Sequence, residues 1–76
     1  MTDDKRRLLL AELAETRAAL ETIWKARVCI ADELPTADRE RAHRLRQRDA
    51  ALLEREVSPT WRLVELEFQL SVAVSR

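Results

Sequence analysis

Arg27 is the residue whose setting most invites chemistry. It falls in a series of apolar positions, Leu9, Leu13, Leu20, Ile23, Ile30 and Leu34, that alternate four and three along the chain, with Thr16 filling the one other polar place. A guanidinium in such a seam is costly unless it is paired or binds an anion. Two readings stay open: an anionic ligand held in a polar pocket, or a side chain that snorkels to the seam's edge and pairs with Asp49 or Glu40. The other candidates say less. Arg41, Arg44, Arg46 and Arg48 surround His43, but Asp38, Glu40 and Asp49 interleave with them. That spacing describes a solvated helix face with paired charges rather than a phosphate-binding stripe. Cys29 lies on an apolar stretch with no positioned base and reads as an inert packing residue. Trp24 and Trp61 read as core or dimer contacts rather than platforms for bases. One cysteine beside one histidine makes no zinc set, so neither metal nor cofactor is expected.

These side chains need a scaffold, and 76 residues supply a single domain. A chain of this size hides only about 60% of the surface its unfolded form exposes. Its stability is thin without disulfides, a metal or association, and a lone Cys29 leaves association. Fourteen basic residues balance fourteen acidic ones, which leaves no net field to attract nucleic acid or an anionic membrane, so neither is an expected partner. Acids open the N-terminus, and the apolar cluster Leu8 to Leu10 is far too short for a signal-peptide core or a spanning helix. A soluble, cytoplasmic chain is expected.

With no glycine, two prolines and an abundance of Ala, Leu, Glu and Arg, the fold class is all-α. The first helix is expected over about 3–34, with Asp3 and Asp4 at its positive end and Pro35 stopping it. Thr36 then caps a second helix, 37–57, whose apolar face is Ala42, Leu45, Leu52, Leu53 and Val57. Ser58-Pro59 opens a third, 59–74. From Val64 to Val74 apolar and polar residues alternate as in a strand, but the Ser-Pro start, and the bare edge a lone strand would leave, favour helix. As a helix it presents Leu63, Leu66, Leu70 and Val74 on one side and Trp61, Val64, Phe68 and Val72 on another, the pattern of a helix buried between neighbours. A first helix of about 30 residues is roughly 45 Å long, against a radius of gyration of about 11 Å for a globule of this size. Two shorter helices cannot cover its seam. The expected architecture is a three-helix protomer in a twofold homodimer, intertwined or side by side.

The stretch from Glu21 to Arg27, followed thirteen residues later by the Glu of Asp38-Arg39-Glu40, resembles the all-helical chorismate mutases. In that family a long first helix carries a cation near its end, a loop follows, and an Arg-Glu pair opens the second helix. Ser71 and Ser75, four apart near the C-terminus, fall where the family often shows Ser and Gln. The resemblance implies dimerisation through the long first helices and a cofactor-free rearrangement of chorismate, a small dicarboxylate, by holding a compact conformer and stabilising charge on the breaking ether oxygen. It implies Arg27 as the cation at that oxygen, Glu40 as acceptor of the substrate hydroxyl, Arg39 as an ordering group, and Ser71 and Ser75 as lesser contacts. The chain departs from the pattern at Thr16, eleven residues before Arg27 on the same face, where the family has a carboxylate-binding arginine. Arg17 is one residue on and rotated about 100° away, so it cannot simply replace it. A second class therefore stands beside the enzyme: a non-catalytic helical module that binds itself or another protein.

Overall fold

The first helix begins at a polar cap. In the computed structural model, which describes residues 2–74, the backbone of Thr2 is extended and its hydroxyl accepts the Lys5 amide hydrogen. Helix α1, Asp3–Glu33, runs 31 residues and passes into a 3₁₀ turn, Leu34–Thr36, that seats Pro35 near its start. Thr36 does not cap the next helix as expected. It belongs to the turn, and its hydroxyl donates back to the Glu33 carbonyl at 3.1 Å. Asp38 takes the capping role two residues later, its carboxylate accepting the Arg41 amide at 2.8 Å. Helix α2 accordingly begins at Arg39.

The larger correction concerns Ser58-Pro59, where no third helix begins. Helix α2 is a single element, Arg39–Val74, 36 residues long with Pro59 inside it. An interior proline lacks the amide that would bond the Arg55 carbonyl and costs about 3 kcal/mol relative to alanine. The helix continues because its inward positions keep one register across the proline: Ala42, Leu45, Asp49, Leu52, Glu56, Pro59, Leu63, Leu66 and Leu70 alternate three and four, and all are buried or half-buried. A break at Pro59 would detach Leu63, Leu66 and Leu70 from Leu9 and Leu13, with which they form the main apolar cluster. Residues 62–74 are helical, and the described residues contain no strand.

Helices α1 and α2 therefore lie antiparallel as a two-membered hairpin, 56 × 15 × 14 Å, with a radius of gyration of 17.2 Å. The seam of α1 is covered by α2 of the same chain, not by default by a second copy, because 36 unbroken residues match its length. Leu9, Leu13, Leu20, Ile23 and Ile30 are buried there, as are Ala42, Leu45 and Leu66. Among the described residues, only Leu20 and Leu66 are fully enclosed.

Ion pairs distinguish two flanks of this seam. On one, the Arg62 fork grips Glu12 through Nε at 2.6 Å and Nη2 at 2.7 Å, and Arg41 pairs with Glu33. The hydrogen bond from Arg62 holds the Glu12 carboxyl below the usual carboxylate range. On the other flank Arg17 meets Glu67 at 3.3 Å.

Candidate functional site

Nearer the turn than the open end of the hairpin, the apolar seam is interrupted by a polar cluster built from both helices. Arg27 enters from α1, while Asp49 and Glu56 enter from α2 at two inward positions separated by one heptad. The Arg27 guanidinium donates from Nε to Asp49 Oδ1 at 3.0 Å and from Nη1 to Glu56 Oε2 at 3.1 Å. The indole of Trp24 donates to the other Glu56 oxygen. The Arg27 side chain is one-third exposed, that of Glu56 one-fifth. The hydrogen bond to Asp49, then the nearby carboxylate charges, raise the Arg27 pKa and fix its charged form, against the opposing effect of partial burial. Of the two readings open for Arg27, the structure realises the pairing, with Asp49 and not Glu40. One guanidinium between two carboxylates leaves the cluster net negative.

The residues suggested by resemblance are spread along the hairpin. Thr16 shares the inner face with Arg27, half-buried, and its hydroxyl donates to the Glu12 carbonyl at 2.8 Å. Eleven residues put it about 16 Å from Arg27 along the axis. Arg17 points outward to Glu67. Arg39 and Glu40 open α2, both exposed, and Glu40 is about 13 Å along the axis from Asp49 at 1.5 Å per residue. Ser71 is exposed near the end of α2, and Ser75 lies outside the described residues. Arg27, Arg39 and Glu40 thus do not converge within this hairpin. The described residues contain no group of His, Cys, Asp and Glu able to hold a metal. Cys29 is exposed, which corrects its reading as a packing residue: it follows the seam position Arg27 by two and so sits off the inner face of α1.

Beside Arg27 and Glu56, on the flank that carries Arg17 and Glu67, lies an open hollow of about 410 Å³ walled by Leu53, Val57, Thr60 and Trp61. It is one end of a longer apolar band. Val64 and Phe68 extend it along α2, and Trp24 and Val28 flank it on α1. Trp61 is 71% exposed and Phe68 68%, so these side chains belong to no core within the chain. The sequence signal for this band was the all-round apolar character of the last helical segment. Glu56 was the residue missed, and its signal was the matching of a cation in one seam by acids in the facing one.

Compared with protein-family models, with curated proteins and with solved structures, the chain matches none of them.

Proposed function

We propose that this chain is a self-associating helical hairpin, a protein-interaction module in which two copies close on each other through the band of Leu53, Val57, Trp61, Val64 and Phe68. The observation that carries the reading is the contiguous exposed apolar band along α2, on a chain whose total surface exceeds what a compact monomer of this mass leaves open. The chain exposes 6174 Å², whereas a folded monomer of 8.9 kDa exposes about 4,800 Å². The surplus of roughly 1,400 Å² per chain is more than the about 800 Å² each partner contributes to a standard stable interface. A contiguous apolar band marks where that surface is to be lost. Pairing two hairpins through it makes a four-helix bundle, the architecture that lets α2 be apolar on two sides.

In this bundle the Arg27–Glu56–Trp24 cluster lies at the edge of the interface. Its charges are satisfied within the chain, so it adds no unpaired group on association and supplies a polar landmark that penalises misregistered pairing. A cytoplasmic setting is part of the proposal; among the described residues no helix is long and apolar enough to cross a membrane. Sedimentation equilibrium tests the module directly: a mass twice 8.9 kDa is expected at micromolar concentration, and a fully helical monomer there would overturn it.

A second reading, a chorismate mutase-like enzyme, rests on the hollow that Arg27 helps to line. For Arg27 to take a substrate carboxylate, the dicarboxylate must displace Asp49 and Glu56 from it in a cluster that is already net negative, and Arg39 and Glu40 must reach it from elsewhere. An assay of chorismate consumption with the product identified decides this reading.

A further inference from the structure

The opposite flank carries a second hollow, independent of the interface proposed above. It measures about 540 Å³, has a floor of Ala26, Ile30 and Leu45, and has Arg41, Arg44 and Arg48 of α2 along its rim. These arginines are spaced three and four apart, so their forks share one face of the helix. The sequence led us to expect their charges to be spent on interleaved acids. The acids are in fact committed elsewhere: Asp38 caps α2, Asp49 holds Arg27, and Glu33, on the hollow's own wall, is held by Arg41. Glu40 precedes Arg44 by one turn without pairing to it, and among the described residues neither Arg44 nor Arg48 has a salt-bridge partner. Two like charges one helical turn apart, uncompensated, disfavour the helix that carries them.

We propose that this hollow is a binding site for a small organic phosphate, a phosphate monoester with an apolar body. The phosphate dianion sits between the free forks of Arg44 and Arg48, whose planar donors match its oxygens. The apolar body lies on Ala26, Ile30 and Leu45, since the hollow is larger than a bare phosphate ion needs. Bound anion removes the Arg44–Arg48 repulsion, so occupancy stabilises the hairpin as well as filling the site.

Thermal unfolding of the full chain tests this with three probes, inorganic phosphate, phenyl phosphate and benzyl alcohol, each against sodium chloride at equal ionic strength. The midpoint should rise in the order chloride, inorganic phosphate, phenyl phosphate, with no rise from benzyl alcohol. Phosphate also stabilises proteins by exclusion from their surfaces, so the deciding comparison is Arg44→Gln/Arg48→Gln, which should lose the phenyl phosphate increment. An equal increment in that double variant overturns the site, and phenyl phosphate no better than inorganic phosphate overturns the assigned ligand class. Should the variant not fold, the wild-type arginine Nε–H resonances decide: those of Arg44 and Arg48 shift on titration with phenyl phosphate while those of Arg17 and Arg62 stay. Uniform shifts overturn the proposal.

Discussion

Trp61→Glu combined with Phe68→Glu should convert a dimer into monomers. Both side chains are more than two-thirds exposed in the isolated hairpin, and neither belongs to its inner core. In a twofold interface each appears twice, so four aromatic side chains lose their burial at once. Burying one large apolar side chain is worth about 1.5–3 kcal/mol. The dissociation constant should therefore rise by at least about a thousandfold, or about 4.1 kcal/mol. Sedimentation equilibrium reads the change as a halved mass. An unchanged mass would show that this band is not the contact surface.

Leu66→Ala should be the most damaging single truncation within the chain. Leu66 is fully enclosed and joins Leu9 and Leu13 in the main cluster, with Leu63 and Leu70 packed against it. Leucine-to-alanine changes in cores cost about 2–5 kcal/mol through lost transfer energy and the cavity left behind. A core of this size rarely supplies more than about 3–5 kcal/mol, so the variant should lose most of its helicity at 25 °C by circular dichroism. Leu8→Ala is the control, because Leu8 is 72% exposed and its truncation should fall within about 0.5 kcal/mol. Equal losses from the two would contradict the hairpin packing.

The inner face of α1 was legible in the sequence because its spacing is nearly clean. Every position of the series from Leu9 to Leu34 is buried or half-buried. The facing series in α2 was not legible, since Asp49, Glu56 and Pro59 interrupt it and disguise a heptad as two shorter helices. The interruptions have a common logic only once the helices are paired: both acids answer Arg27, and Pro59 is tolerated because apolar contacts resume on either side. Local propensity read Ser58-Pro59 as a start, and tertiary packing overrode it. The same mistake set the reason for expecting a dimer. The α1 seam is covered within the chain, so the proposed dimer rests on the outer band of α2 instead.

The candidate site was legible to the extent that Arg27 was recognised as an anomaly. Its pairing with Asp49 was one of the two readings its setting allowed. The role of Glu56 could not be weighed without knowing that residues 39–74 form one helix, because a break at Pro59 leaves that side chain at a helix end rather than on an inner face. The arginine run lies on a solvated face as expected, but without the expected pairs to its interleaved acids. Interleaved acids do not neutralise a face when capping and the seam claim them first, as Asp38 and Asp49 show.

In the proposed assembly two hairpins meet through the outer face of α2, each keeping its own inner seam. Isotope-filtered nuclear Overhauser spectroscopy on a mixture of labelled and unlabelled chains measures contacts between copies alone. Intermolecular contacts are expected from Trp61, Val64 and Phe68, and none from Leu20 or Leu66. Contacts between copies at Leu20 and Leu66 would contradict this assembly, for they would mean that the helices exchange between chains in an intertwined dimer and that the hairpin is not the unit that associates.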